Sequence, residues 1–394
     1  MKEIFISKKD DIAKILLVEN GNLIEKYEES DKIKRLEGKI YLGKVQNVLQ
    51  GMQAAFIDIG EEKNTFIHLK DILPKIDIVK NKEQAQEEKN IKKLVKIGDK
   101  LLIQVKRDGN NMKGARVSTH ISLPSRYFVL MPEVEIKTIS QKIEDQNEKK
   151  RLTEIIDEIV PKKFGVIVRT SAEGKEKEEL EKDLKKSINE WKKILKVKND
   201  ETSNAPKCIY EGQNFIEKLL IDLIDKDINK IVVDNKKYYN EVVRILKNFE
   251  EDITVELKEK ENILKTYDIE EQLEKSNQRK IWLKCGGFIT IDKTEALTAI
   301  DVNSGKFIGS KNLEQTVFKV NSEASVEIAR QLRLRDIGGI IIIDYIDMSD
   351  EQHKKDIIKV LEENLKQDRS KTQIVGFSKL NLLEMTRKHM KGGE

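Results

Sequence analysis

The sequence predicts an α+β protein built from several domains. Its 394 residues exceed the size of one ordinary compact domain. Residues 36–120 read as short strands separated by turns, whereas helix and strand patterns alternate after residue 215. Hydrophobic residues make up 38% of the chain and charged residues 37%, which indicates a sizeable core beneath a highly charged surface.

Composition excludes several classes of protein. The formal net charge is only +4, so a nucleic-acid partner must be argued from local features. No apolar run approaches the roughly 18 residues that cross a bilayer, and the first residues are too charged for a signal peptide. Cys208 and Cys285 form no CxxC motif, which predicts neither a zinc site nor a disulfide framework. We expect a reduced, soluble, cytoplasmic protein.

Residues 1–35 predict a hairpin, because Asn20-Gly21 lies between two apolar runs. Residues 36–120 predict a small barrel of the OB type from five short strands with turns between them. The polar stretch 80–93 is expected to form an exposed loop or a short helix. The strand-like runs include Ile40–Val48, Ala54–Ile59, Thr65–Leu69 and Lys100–Arg107.

The middle of the chain predicts further helices and strands. Phe164–Thr170 reads as a strand, and the helix after it carries an apolar stripe at helical spacing. Residues 215–280 alternate helix and strand and could complete one domain with the N-terminal strands. The stripe consists of Leu180, Leu184, Ile188, Trp191 and Leu195.

Residues 281–394 predict a mixed sheet with helices packed on it. Strands at 286–291 and 296–302 are joined by a hairpin, and Thr372–Gly376 is a closing strand. Ile340–Ile343 is continuously apolar, so we expect a strand that is buried on both faces. Two capped helices are predicted. One runs from about 313 to 335, with a capping box at Asn312 and Gln315 and an end at Gly338-Gly339; the other begins at Ser349 with Gln352.

Two neighbouring strands of this sheet end in carboxylates. Asp301 follows the apolar run 297–300, and Asp344 follows Ile340–Ile343. Asn303 lies two residues after Asp301, so both side chains leave the same face of an extended chain. Oxygen ligands of this kind, completed by water and substrate phosphate, are what Mg²⁺ prefers.

The alternative is that these residues merely end their strands in turns. For either aspartate alone that alternative is favoured, but the pair with Asn303 beside it favours a site. Asp347, three residues after Asp344, is a competing candidate.

Three long strings resemble the catalytic block of the ribonuclease E/G family: TAIDVNSG (298–305), EIARQLRLRDIGGIIIIDYIDM (327–348) and LLEMTRK (382–388). The resemblance implies cleavage of single-stranded, AU-rich RNA that leaves a 5′-phosphate and a 3′-hydroxyl. It implies Asp301 and Asp344 as ligands of Mg²⁺, with Mn²⁺ as an open alternative, and Asn303 as their supporting residue.

The β-rich region resembles an S1 RNA-binding domain, in GKVQNVLQGMQAAFIDIG (43–60) and TFIHLKDIL (65–73). The resemblance implies that Phe56, Phe66 and Lys113 contact RNA. The alternative, which spacing alone favours, is that both phenylalanines belong to the barrel core. Thr65 replaces a glycine that is usual in the family, so the turn geometry is expected to differ there.

The resemblance also implies a sensor for a 5′-monophosphate at Arg169 and Thr170, where an arginine fork, hydroxyls and free helix N–H groups suit an anion. Val129 matches the family. Ser125 stands in place of a common glycine and Lys371 in place of a common arginine, so we expect weaker sensing. The alternative is an ordinary capped helix start.

The resemblance extends over the whole chain and implies four domains. The chain stops near LLEMTRK without the family's CPxC-type zinc link, so we expect no zinc and no zinc-linked tetramer, and the oligomeric state stays open. Rival functions are a non-catalytic single-stranded RNA-binding protein and a DNA nuclease. The domains are an RNase H-like domain split over 1–35 and 215–280, an S1 domain at 36–119, a 5′-sensor domain at 120–214 and a DNase I-like catalytic domain at 281–394.

Overall fold

The computed structural model describes residues 1–30, 32, 35–72, 90–109, 113–200, 204–224, 228–249, 251–305 and 313–389. The chain is of the mixed α+β class and divides into two compact units, Met1–Lys32 with Asp227–Glu394 and Ile33–Lys226. Among the described residues, no helix is long and apolar enough to cross a membrane. Most of the predicted loop at 80–93 and the predicted cap Asn312 lie outside the described residues.

Strands predominate up to residue 224. The strands are β1 (Lys2–Lys9), β2 (Ile12–Glu19), β3 (Asn22–Ser30), β4 (Ile40–Leu49), β5 (Ala54–Asp58), β6 (Thr65–His68), β7 (Lys100–Arg107), β8 (Arg116–Ser118), β9 (Leu123–Pro124), β10 (Phe128–Pro132), β11 (Lys137–Ile139), β12 (Phe164–Val168) and β13 (Lys207–Tyr210). The helices are α1 (Ile91–Leu94), α2 (Gln146–Ile159), α3 (Lys177–Lys198) and α4 (Phe215–Leu223).

Helices and strands alternate in the rest of the chain. The strands are β14 (Ile228–Val233), β15 (Thr254–Leu257), β16 (Lys280–Trp282), β17 (Phe288–Lys293), β18 (Leu297–Asn303), β19 (Gly339–Asp344), β20 (Thr372–Phe377) and β21 (Leu383–Arg387). The helices are α5 (Lys236–Phe249), α6 (Ile263–Thr266), α7 (Ile269–Lys275), α8 (Leu313–Leu334) and α9 (Glu351–Leu365).

One five-stranded sheet joins the two ends of the first unit, in the order β15-β14-β1-β2-β3. The predicted hairpin is confirmed: Asn20 and Gly21 have φ angles of 49° and 77°, the left-handed values that a tight type I′ turn requires. Strand β1 pairs in parallel with β14, so after β3 the chain returns to this sheet only at residue 228. Helix α4 belongs instead to the unit Ile33–Lys226.

The second unit contains a closed five-stranded barrel. Its strands follow the order β4-β5-β6-β8-β7, and pairing of β4 with β7 closes the cylinder. A four-stranded sheet, β11-β12-β10-β9, shares a core with α2 and α3 in the same unit. The predicted stripe of α3 faces this core, although Ile188 and Leu195 are only partly buried.

The last sheet belongs to the first unit and has the order β16-β17-β18-β19-β21-β20. Ile341 and Ile343 are fully buried in a core shared with α8 and α9. Ile340 is 51% exposed and Ile342 is half-buried. The expectation that this strand is buried on both faces is therefore wrong, because these helices cover one face and leave the other open.

The predicted helix ends need two corrections. Helix α8 ends at Leu334 rather than at the glycine pair, because Asp336 adopts the left-handed conformation, with φ 46°. The cap of α9 is Asp350 rather than Ser349, since the Asp350 carboxylate accepts from the Gln352 N–H at 2.7 Å. The Ser349 hydroxyl instead donates to the Glu314 carboxylate at 2.6 Å.

A buried ion pair fixes the strand β21. The Arg387 guanidinium donates to both carboxylate oxygens of Asp368, at 2.7 and 3.2 Å, and to Asp336 at 2.9 Å. Arg387 and Asp368 are each only 3% exposed. The charges are therefore matched inside the core, and removing one leaves the other without compensation.

We expect Arg387→Ala to lower the free energy of unfolding by about 3–5 kcal/mol, because it leaves a buried carboxylate unpaired. Chemical denaturation of the purified protein measures the change. Lys359→Ala is the matched control, because its pair with Asp356 on α9 is exposed and is expected to contribute under about 0.5 kcal/mol. Equal stabilities for the two variants would contradict the importance of this pair.

Candidate active site

The paired carboxylates lie side by side on the open face of the last sheet. Strands β18 and β19 are parallel and in register, and Asp301 is the direct partner of Asp344. Adjacent strands are about 4.8 Å apart, so two side chains of one face can share a ligand. The Asn303 amide donates to the Asp301 carboxylate at 2.6 Å, which fixes the orientation of that carboxylate.

Electrostatics at this pair favour a cation. Burial first, and then the negative charges of Asp301 and Asp347, raise the pKa of Asp344 above its usual range. Asp347 is held by a hydrogen bond from the Asn381 amide at 2.8 Å. A positive charge between Asp301 and Asp344 would relieve their repulsion.

The donor set fits a hard divalent ion that keeps most of its water. Among the described residues, no group of three or more His, Cys, Asp and Glu side chains is arranged to hold a metal. Two carboxylates beside an amide are therefore what the protein offers here. Mg²⁺ is commonly held by one or two carboxylates, with water and substrate phosphate as the other ligands.

Close backbone packing holds the end of β18 in place. A Cβ on Gly287 would lie 2.8 Å from the Asn303 carbonyl oxygen and 2.9 Å from a methyl group of Val320. Gly305 has φ 60°, and a Cβ there would lie 2.5 Å from the Gly286 oxygen. Only glycine allows these approaches, so the glycines help to position Asn303.

The predicted RNA-contacting residues lie on the barrel. Phe56 and Phe66 are direct partners on β5 and β6, with ring centroids 6.0 Å apart in an edge-to-face arrangement. Both are half-buried and lie outside the barrel core, so the alternative of two core phenylalanines is wrong. Lys113 is exposed and precedes Gly114. A Cβ on Gly114 would lie 1.9 Å from the Asn64 oxygen, so this segment packs closely beside β6.

The substitution of threonine for glycine at position 65 is accommodated in the barrel wall. The Thr65 side chain is buried and its hydroxyl donates to the Ile57 carbonyl at 2.9 Å. The hydroxyl is thus satisfied inside β6, and no unpaired polar group results.

The predicted phosphate sensor is a network around Arg169. The guanidinium donates to the Ser125 carbonyl at 3.1 Å and forms an ion pair with Asp222. The Ser125 hydroxyl donates to Asp183 at 2.6 Å, and burial raises the pKa of that carboxyl. Neither Asp183 nor Asp222 was recognised from sequence, because each is one of several acidic residues in a helix pattern.

The other sensor residues are placed differently. Val129 lies on β10 opposite Ile167 of β12. Thr170 begins a three-residue 3₁₀ turn, and the long helix α3 starts only at Lys177, so the expected helix terminus beside Arg169 and Thr170 is absent. Lys371 is exposed and belongs to the unit Asp227–Glu394.

Comparisons with known proteins show which family the chain is similar to. Residues 122–390 match the model of the ribonuclease E/G family. The chain is 38% identical over 390 residues to Ribonuclease G of Escherichia coli K12, covering 98% of this chain and 79% of that protein. It is 38% identical over 394 residues to Ribonuclease G of Haemophilus influenzae, with the same coverage. It is 36% identical over 358 residues to Ribonuclease E of Nostoc, covering 89% of this chain and 51% of that protein.

The protein is thus an enzyme of the endoribonuclease class. The family model covers more than half of the chain, and the Escherichia coli and Haemophilus relatives are matched over most of their length. The chain belongs to the ribonuclease E/G family, which confirms the resemblance seen in the motif strings.

Glu148 supports the segment that follows the Arg169 network. Its carboxylate accepts from the Arg151 guanidinium twice at 2.7 Å and from the Gly174 N–H at 2.8 Å. The hydrogen bonds from Arg151, and to a lesser extent the one from Gly174, lower the pKa of Glu148 to about 2. The carboxylate therefore stabilises the fold fully above its unfolded pKa, and loses this effect as the pH falls toward 2.

We expect Glu148→Gln to reduce stability at pH 7 by about 1 kcal/mol after solvent screening is allowed for. The difference from the wild type should shrink as the pH falls from about 5 towards 2. Thermal melts across that range test this, with Glu154→Gln on the exposed face of α2 as the control. A difference that is independent of pH would exclude the ionised carboxylate as its source.

Proposed function

We propose that the protein hydrolyses single-stranded RNA endonucleolytically, with Mg²⁺ or Mn²⁺, and leaves a 5′-phosphate and a 3′-hydroxyl. The observation that carries this proposal is the in-register pairing of Asp301 with Asp344 on an open sheet face. An open face admits a polymer, whereas a closed pocket would admit only a small substrate. Membership of the ribonuclease E/G family supports RNA as that polymer.

The chain's own residues would bind and orient the reacting groups. Asp301 and Asp344 would hold the ion, and Asn303 would keep Asp301 in place through its 2.6 Å hydrogen bond. The ion, when bound, would supply Lewis-acid polarisation of the phosphodiester and a water of lowered pKa. The like charges of Asp301 and Asp344 disfavour close approach of an RNA phosphate, so binding of cation and of RNA should be coupled.

The barrel would hold the RNA strand. We assign it as an S1-type domain in which Phe56 and Phe66 stack on bases and Lys113 contacts phosphate. Half-buried aromatic side chains on a barrel surface support this, since stacking tolerates any base and suits AU-rich single strands. We further assign the sheet around β1 and β14 to a structural RNase H-like domain and the last sheet to a DNase I-like catalytic domain.

The Arg169 network would recognise a 5′-monophosphate. Arg169 offers a planar fork, Thr170 an exposed hydroxyl, and Ser125 and Val129 complete the proposed sensor within the unit Ile33–Lys226. Arg169 is paired with the exposed Asp222 carboxylate, so a phosphate would have to displace that partner. The expected result is a preference for 5′-monophosphorylated RNA.

We expect Asp301→Asn and Asp344→Asn each to reduce cleavage by at least about 10³-fold, because each removes a charge that the ion requires. A gel of labelled AU-rich RNA with Mg²⁺ or EDTA measures cleavage, and filter binding measures affinity, which should remain within about threefold of the wild type.

Glu295→Gln is the matched control, since this exposed carboxylate lies at the opposite end of the β17–β18 hairpin. Full activity of both aspartate variants would contradict the site. Retained RNA binding by a wild type that cleaves nothing would indicate a binding protein instead, and preferential cleavage of a matched DNA strand would indicate a DNA nuclease.

Arg169→Ala should abolish the difference in cleavage rate between 5′-monophosphorylated and 5′-hydroxyl RNA, since it removes the fork that pairs with phosphate. Asp222→Asn should increase that difference about two- to tenfold, because it removes the competing carboxylate. Initial rates on the paired substrates measure both effects. An unchanged difference in both variants would exclude Arg169 from sensing.

A further inference from the structure

An aromatic and lysine cluster lies beside the carboxylates on the same open face. The Lys280 ammonium nitrogen lies 3.6 Å from the centroid of the Phe288 ring and 4.1 Å from that of Trp282. The two rings are 5.3 Å apart in an edge-to-face arrangement. Two rings thus hold one ammonium group by cation–π attraction.

The cluster is exposed, and its cation has no acidic partner. Trp282 is 57% exposed although it is a large hydrophobic residue. Among the described residues, no carboxylate forms an ion pair with Lys280, whereas the neighbouring Arg279 is paired with Asp292 at 2.5 and 2.6 Å. Lys280 is therefore available for an external anion, and Trp282 for an external ring.

Strand register connects the cluster to the proposed catalytic residues. Two rows of side chains cross the sheet on this face. One row is Lys280, Thr290, Asp301 and Asp344, and the other is Trp282, Phe288 and Asn303. Strands about 4.8 Å apart place Lys280 about 10 Å from Asp301, which is within reach of a nucleotide next to the one being cleaved.

We propose that Lys280, Trp282 and Phe288 bind one nucleotide that flanks the cleaved phosphodiester. The Lys280 ammonium pairs with its phosphate, and the Trp282 indole stacks on its base. These are positioning residues, since they hold the strand across the sheet and leave the reaction to the carboxylates. This inference rests on the proposed function.

Fluorescence tests the stacking without any cleavage. The chain has two tryptophans, and Trp191 is buried in the core of the other unit. Titration of the protein in EDTA with a ten-nucleotide single-stranded RNA should quench the emission of Trp282. The quenching should disappear in Trp282→Phe. Absence of quenching while the RNA is bound overturns the inference.

Kinetics test the positioning. Trp282→Ala and Lys280→Ala should each raise KM about 5- to 30-fold, the loss expected for one stacked base or one phosphate contact, with kcat within about threefold. Trp282→Phe should restore most of the affinity, because phenylalanine keeps a stacking face. Lys293→Ala is the matched control, a lysine of β17 on the alternate register from Phe288 and Thr290. Unchanged KM in both alanine variants overturns the inference.

A salt series identifies the anion contact. Lys280→Ala should reduce the slope of log affinity against log salt by about one, because one fewer counterion is released. An unchanged slope overturns the phosphate contact. Quenching by RNA in a protein that never cleaves would refute the proposed function and leave this nucleotide site standing. Normal cleavage without quenching would refute this nucleotide site and leave the proposed function standing.

Discussion

The parallel pairing of β18 with β19, covered by helices on one face only, is the constraint on which the site depends. Register makes Asp301 the neighbour of Asp344, and the alternation of side chains sends Ile300 and Ile343 into the core on the opposite face. A shift of one residue in either strand would bury a carboxylate and expose an isoleucine. The stability of the core thus enforces the geometry of the site.

The same alternation explains which parts of the site could be predicted from sequence. Asp301 and Asp344 each come after an apolar run of the sequence, and that local signal is sufficient to place them near the carboxyl ends of two neighbouring strands. The open face could not be predicted, because the run Ile340–Ile343 says nothing about whether a second layer covers it. Strand β16 is three residues long and includes Lys280, so neither hydrophobic periodicity nor composition predicts it. The cluster around Trp282 was therefore missed.

The helix ends show a different limit of local signals. Ser349 and Asp350 are both good capping residues, and sequence does not decide between them. The choice follows from a tertiary contact, since Glu314 at the start of α8 accepts from the Ser349 hydroxyl and leaves Asp350 to cap α9. The hydrogen bonds that the Glu314 carboxylate accepts, with that from the Ser349 hydroxyl as the largest contribution, lower the pKa of Glu314 to about 2. A residue 35 positions away thus decides a local structure.

The net charge of the chain is close to zero, and some of its arginines are neutralised by carboxylates of the same chain. Arg169 is engaged by Asp222, and Arg279 by Asp292. An RNA phosphate that uses either arginine must compete with a carboxylate of the same chain, which favours selective over general attraction of polyanions. Lys280 differs, because aromatic rings hold it in place without neutralising its charge. An unpaired cation beside the proposed site would therefore help to direct RNA to the carboxylates, even though the net charge of the chain is low.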